Sequence, residues 1–271
     1  MKETVAQFQI EEDQSLPQLL MVGDGTSSRR IAYRNRLAKE SGRPGIVWLC
    51  GFKSDMRSTK ASALHSWAVK QDRGFLRFDY SGHGESEGAF ESGTIGLWLE
   101  DSLAIIRSAS QGPQILVGSS MGGWLALLAA QALHASGEDA RLAGLVLIAP
   151  AVDFTEALMW EQMAPKVRNE VVEQGVWLRP SPYSPDPYPI TRELIEEGRH
   201  HLMLGGTIRT HCPVHILQGM QDEDVPWRQA TKLVEHLAGD PVVLTLVKDG
   251  DHRLSRDEDI ERLIAAIEAI A

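Results

Sequence analysis

Residues 113–128 read PQILVGSSMGGWLALL, and the rest of the chain is interpreted outward from them. Gln114 to Gly118 is a continuous apolar run of strand length. Residues 121–136 form a strongly apolar stretch of helical length. Between them lies a serine pair. In the frame G-x-S-x-G only Ser120 fits, flanked by Gly118 and Gly122, because Val117 stands where Ser119 would need glycine. A serine at so sharp a strand-to-helix turn sits in a strained backbone, and its neighbours two residues away must lack side chains for the turn to close. The turn lifts the Ser120 hydroxyl above the sheet edge. It also puts the Met121 N–H at a helix start, where a developing oxyanion is stabilised. Ser120 is the predicted nucleophile.

Strand and helix patterns alternate on both sides of this turn. Gly45 to Cys50, Phe75 to Tyr80 and Gly144 to Pro150 read as strands, with helices over 58–72 and 93–108. Strands apolar on both faces and joined by helices imply a parallel sheet covered on both sides. Residues 4–10 and 29–35 alternate as earlier strands, with a GDGTSS turn between them. The alternation stops at Pro150 and resumes at Pro213. The interval holds helical stretches over about 155–174 and 191–204, separated by SPYSPDPYP, which suits neither a helix interior nor a central strand. The pattern closes with a helix at 226–238, a strand at 241–247 and a helix at 257–270. The expected organisation is an α/β core of residues 1–152 and 212–271, with residues 153–211 inserted as a lid.

A neutral serine is a weak nucleophile and needs a base, itself oriented by an acid. At such an elbow the acid and then the histidine follow the serine in the chain. His252 lies in KDGDHR, just past the last strand, at the edge where parallel sheets place their chemistry. His200 and His201 fall in the expected lid. His211, His215 and His236 flank or occupy other elements. Asp222 follows the strand VHILQG in GMQDEDVPW and is the favoured acid. Asp224 is its nearest rival and suits a helix cap, and Asp153 follows as a third candidate. The second oxyanion donor is expected from the loop after GIVWLC, as the N–H of Phe52. Cys50 beside it reads as a small buried hydrophobe. In the lid, Met159, Trp160 and Met163 are candidate acyl-pocket residues, with Trp177, Tyr183 and Tyr188 nearby. Core packing is the competing reading for all of them.

Composition removes other classes. With 27 basic against 37 acidic residues the net charge is −10, which disfavours a phosphate-tracking nucleic-acid groove. Two cysteines, Cys50 and Cys212, are too few for a disulfide scaffold, so a reducing compartment is expected. The amino end MKETVAQFQIEEDQ reads as neither a signal nor a transit peptide, and the most apolar stretch, 121–135, falls short of a membrane span. These readings lead to an expected cytoplasmic location. Gly82, Gly84 and Gly88 follow a strand with the wrong spacing for a dinucleotide fingerprint. His211 and His215 cannot share a helix face across Pro213 and have no evident third ligand, so no metal is expected.

The combination of GF after the GIVWLC strand, FDYSGHGES after the next, GSSMGGWL at the elbow, the Asp222 turn and the His252 loop resembles the α/β-hydrolase superfamily from about residue 29 onward. The resemblance implies an eight-stranded, mostly parallel sheet with a lid after the sixth strand. It also implies serine-ester chemistry by Ser120, Asp222 and His252 without a cofactor. The expected enzyme cleaves acyl esters or thioesters, in the manner of a palmitoyl- or acyl-protein thioesterase, with an S-acylated protein as one such substrate. The enzyme alternative is a small-molecule carboxylesterase or acyl-glucuronide esterase. A binding protein on the same fold is the alternative of another class.

Overall fold

The structure, a computed structural model, describes residues 15–39, 42–180, 186–237 and 239–270. The chain begins with β1 (Gln18–Val22), β2 (Arg29–Arg36), β3 (Gly45–Leu49), α1 (Thr59–Lys70) and β4 (Phe75–Phe78). It continues through α2 (Ile95–Ala109), β5 (Gln114–Ser119), α3 (Met121–Ala135) and β6 (Leu142–Ile148). After these come α4 (Pro165–Gln174), β7 (Val176–Arg179), β8 (Tyr188–Thr191) and α5 (Arg192–Gly198). The last elements are β9 (Val214–Gly219), α6 (Trp227–His236), β10 (Val242–Val247) and α7 (Asp257–Ile270).

Eight strands make one sheet in the order β1-β2-β4-β3-β5-β6-β9-β10. β2 pairs antiparallel with both its neighbours, and every other pairing is parallel. The central strands β4 and β5 are buried along their whole length, as continuous apolar runs require when both faces are covered. The chain steps from β3 outward to β4, then back across to β5. Right-handed crossovers in opposite directions must lie on opposite faces, so α1 and α2 cover different sides. α1 packs with α7, and α2 with α3.

This topology positions a site. β3 and β5 are neighbours, with Leu49 opposite Gly118, so the loop after β3 and the turn after β5 leave the sheet side by side at the switch point. β9 and β10 are neighbours as well, with Gly219 opposite Val247, and their exits are also adjacent.

Two local readings shift. The expected strand at 4–10 lies outside the described residues. The strand that pairs with β2 is β1, whose QLLMV lacks clear alternation, and the GDGTSS turn joins the two. The helix expected over 155–174 is two pieces. Thr155–Trp160 is wound as a π-helix, closed by the Glu161 N–H to the Glu156 carbonyl at 2.9 Å. Pro165 then starts α4, where its missing N–H costs nothing. Pro189 lies in β8, which among the described residues pairs with β7 alone, the edge setting a proline tolerates. Tyr183 falls outside the described residues.

Candidate active site

Ser120 has φ 55° and ψ −117°, a left-handed backbone at a non-glycine residue. The surrounding glycines explain how the turn closes. A Cβ on Gly118 would strike the Gly122 carbonyl oxygen, and one on Gly122 would strike that of Leu49. The Ser120 N–H donates to the Ile148 carbonyl at 2.8 Å, and its carbonyl accepts from Gly123 at 2.9 Å and Ala151 at 3.1 Å. Five backbone and packing constraints thus hold one strained residue.

The exits of β9 and β10 are joined by backbone hydrogen bonds. Met220 N–H donates to the Val247 carbonyl at 2.8 Å and Gln221 N–H to that of Gly250 at 2.9 Å. Across this seam His252 Nδ1 lies 2.8 Å from Asp222 Oδ2. The Asp222 carboxylate is fully buried and holds its orientation through further donors. Oδ1 accepts the N–H groups of Asp224 at 3.0 Å and Val225 at 2.8 Å, and Oδ2 accepts Gln218 Nε2 at 3.0 Å. With Oδ2 accepting from the ring, Nδ1 carries the proton and Nε2 is left as the basic nitrogen. Lys60 Nζ donates to the Arg253 carbonyl beside it, which ties α1 to the histidine loop. Burial lowers the Lys60 ammonium to about 8.

The two rival acids stand differently. Asp224 gives its N–H to Asp222. Asp153 accepts Met203 and Leu204 N–H groups, both at 2.8 Å, and so fastens the end of the inserted segment to the end of β6. Asp222, Asp224 and His252 bring their ligand atoms within 4.8 Å of one another. Both Asp222 oxygens already accept hydrogen bonds, so this set fits an oriented imidazole better than a cation.

Ser120, Met121, Phe52 and His252 line one cavity of about 910 Å³. The N–H groups of Phe52 and Met121 donate to no acceptor among the described loop and cap hydrogen bonds. Gly51 brings the first of these loops against the Ser120 Cβ, since a Cβ on Gly51 would lie 3.4 Å from it. His83 is a residue that the search for a base after Ser120 passed over. Its Nε2 accepts the Lys53 N–H at 3.3 Å, one residue past Phe52, while Nδ1 lies 3.2 Å from the Ser81 carbonyl. Burial lowers this imidazole to about 4, so it stays a neutral acceptor. The Ser81 end is itself held by Asp101, which accepts both the N–H and the hydroxyl of Ser81.

Of the three pocket candidates, Met159 lines the cavity, whereas Trp160 and Met163 do not. The Trp160 ring is met by the guanidinium groups of Arg168, at 5.5 Å, and Arg199, at 5.2 Å. Met163 and Met159 both join the hydrophobic core, and of the two Met159 also borders the cavity. The chain winds as a π-helix over Thr155–Trp160, so an α-helical spacing does not decide which of these residues turn to the cavity. Phe154, Ala157, Leu158, Gln162 and Tyr188 line the cavity instead.

Residues 46–192 match the family described as serine aminopeptidase, S33. The chain is 37% identical over 239 residues to the mitochondrial palmitoyl-protein thioesterase ABHD10 of Bos taurus, covering 88% of this chain and 75% of the relative. A crystal structure of a hydrolase from Agrobacterium vitis S4 superposes with a TM-score of 0.91 at 49% identity, covering 94% of this chain and 98% of that one. The mouse ABHD10 structure gives a TM-score of 0.81 at 34% identity, covering 93% and 98%. The mitochondrial relatives overturn the expected cytoplasmic location. That expectation rested on two cysteines, on an amino end read as neither a signal nor a transit peptide and on the lack of a membrane-length apolar stretch; the free cysteines suit every reducing compartment and could not select one of them.

Proposed function

The chain belongs to the α/β-hydrolase superfamily and is a hydrolase, and from that premise we propose that it cleaves acyl thioesters or esters through Ser120, His252 and Asp222. The observation that carries the reading is the 2.8 Å pair of His252 and buried Asp222, opening onto the same cavity as the strained Ser120.

His252 Nε2 takes the Ser120 proton as Oγ attacks the acyl carbonyl carbon. The carbonyl oxygen becomes an oxyanion held by the Phe52 and Met121 N–H groups. The bond to the leaving sulfur or oxygen then breaks, and that atom receives the proton from His252. Water, deprotonated by the same imidazole, attacks the acyl-serine and releases the carboxylic acid. Asp222 keeps the ring in its working tautomer throughout. Side chains, backbone N–H groups and water account for every bond and proton in this scheme.

The segment 153–211 acts as a lid whose Phe154, Leu158, Met159 and Tyr188 receive the acyl chain. The relatives named palmitoyl-protein thioesterases favour a thioester of a fatty acyl group, an S-acylated protein among them. The test is a matched panel of thioesters and oxygen esters of graded chain length, assayed with the wild type, Ser120→Ala and His252→Ala. The reading expects thioester cleavage that rises with chain length and is lost by at least about 10³-fold in both variants. Cleavage of oxygen esters alone would move the assignment to a carboxylesterase, and turnover by Ser120→Ala near the wild-type rate would reject it.

A further inference from the structure

The cavity that holds Ser120 is charged against the balance of the molecule. The chain carries 27 basic and 37 acidic residues, yet the cavity is lined by Lys53, Lys60, Arg179, Arg228, Lys232 and Arg253 against only Glu223 and Asp224. Lys60 is occupied by the Arg253 carbonyl and Arg253 has a partner of its own, so neither enters the argument. The other four cations differ. Among the described residues, Lys53, Arg179, Arg228 and Lys232 make no close ion pair with a carboxylate, Lys232 acting on Asp153 only at longer range, although exposed arginines elsewhere pair freely, as Arg30 does with Glu87 and Arg107 with Glu138. The Lys53 ammonium lies over the Phe90 ring at 4.3 Å and the Arg228 guanidinium over that of Trp227 at 4.4 Å.

These four come from separate elements that meet at the cavity. Lys53 follows Phe52 in the loop after β3. Arg179 ends β7 in the inserted segment. Arg228 and Lys232 are four residues apart in α6 and so share one helix face. A single carboxylate is satisfied by one bidentate arginine. Four cations spread over three elements match a ligand with several negative charges instead. Cations around a concave opening also focus the field and raise the local concentration of such a ligand.

Resting on the Ser120 reading above, we propose that this rim binds the phosphates of the leaving group, so that the preferred substrates are acyl thioesters of a phosphate-bearing thiol arm of the coenzyme A kind. The bond broken is the same acyl carbon–sulfur bond, and the departing thiol keeps its phosphates against the rim until it leaves.

Three octanoyl thioesters with the same cysteamine end test this: octanoyl-coenzyme A, octanoyl-phosphopantetheine and uncharged octanoyl-N-acetylcysteamine. Their reacting bonds are alike, so differences in kcat/KM report the remote charges. The proposal expects kcat/KM to fall in that order, with about tenfold or more between the first and last, the sum of several individually weak exposed ion pairs. In the double variant Arg228→Gln/Lys232→Gln the ratio should shrink to about two. Raising the salt from 50 to 500 mM should shrink it likewise, by screening. Lys166→Gln, on α4 and outside the cavity, should leave the ratio as it is. Cleavage of the neutral thioester with a ratio near one overturns the rim but spares the Ser120 reading. A high ratio indifferent to both the double variant and salt also overturns the rim. Cleavage of none of the three overturns both.

Discussion

At Ser120 the backbone is held at positive φ by its neighbours, and such strain costs about 1–3 kcal/mol. Ser120→Gly removes the Cβ that makes this conformation costly, offset by the extra freedom of glycine in the unfolded chain. Calorimetry should show Ser120→Gly melting a few degrees above wild type, whereas Ser120→Ala, still carrying a Cβ, should not. Both should be inactive, and Ser119→Ala should retain turnover. The acids separate in a similar way. Asp222→Asn should lower kcat by orders of magnitude through the wrong imidazole tautomer. Asp153→Asn should lower Tm with kcat little changed, because its carboxylate ties Met203 and Leu204 to the end of β6. His83 is depressed to about 4 by burial, so folding favours its neutral form. That contribution is fully present above pH ~6.5 and is lost as the pH falls from ~6.5 toward ~4, to the extent of about 3 kcal/mol. The Tm of His83→Gln should therefore fall less steeply than wild type over that window. An equal slope in the two proteins would remove His83 as the cause. Ser120 and His252 were legible as candidates because each sits in a fixed relation to a strand end. His83 was not, because its contribution is a hydrogen bond to a backbone N–H thirty residues away.

Among the elements, the sheet was the legible part. Continuous apolar runs, GIVWL, QILVGS and LAGLVLI, became β3, β5 and β6 with shifts of one or two residues at their ends. The segment between β6 and β9 was not legible in the same way. The first of its two expected helical stretches, over about 155–174, instead winds as a π-helix, breaks, and restarts at Pro165. A sequence period cannot reveal a change in winding, nor could it separate pocket from core among Met159, Trp160 and Met163. The structure yields a sharper expectation. Leu158→Ala and Met159→Ala should shorten or lengthen the acyl chain giving the best kcat/KM, since each methylene in a fitting pocket is worth about 0.8 kcal/mol. Met163→Ala should instead lose about 2–4 kcal/mol of stability through lost burial and cavity formation, read as a lower Tm, with the chain-length optimum in place. A shifted optimum in Met163→Ala, with Leu158→Ala and Met159→Ala unshifted, would contradict the assignment of the pocket.

Over the whole molecule, one sheet brings four separated loops to one edge: Gly51–Phe52 and Ser120 from the neighbours β3 and β5, and Asp222 and His252 from the neighbours β9 and β10. Chain order and strand order differ, and the site exists only in strand order. Net charge, by contrast, misdescribes the site. A chain of −10 lines its cavity with six cations against two carboxylates, because a sum over the surface says nothing of where the charges lie. The central claim is that Ser120 is an activated nucleophile inside this assembly. It is tested most directly by treating the folded protein with a fluorophosphonate and locating the adduct by peptide mass analysis. The account predicts one adduct, on Ser120, formed quickly in the wild type, slowly in Asp222→Asn, and absent from Ser120→Ala. A wild-type protein that takes up no label, or a Ser120→Ala protein labelled as fast as wild type, would contradict it.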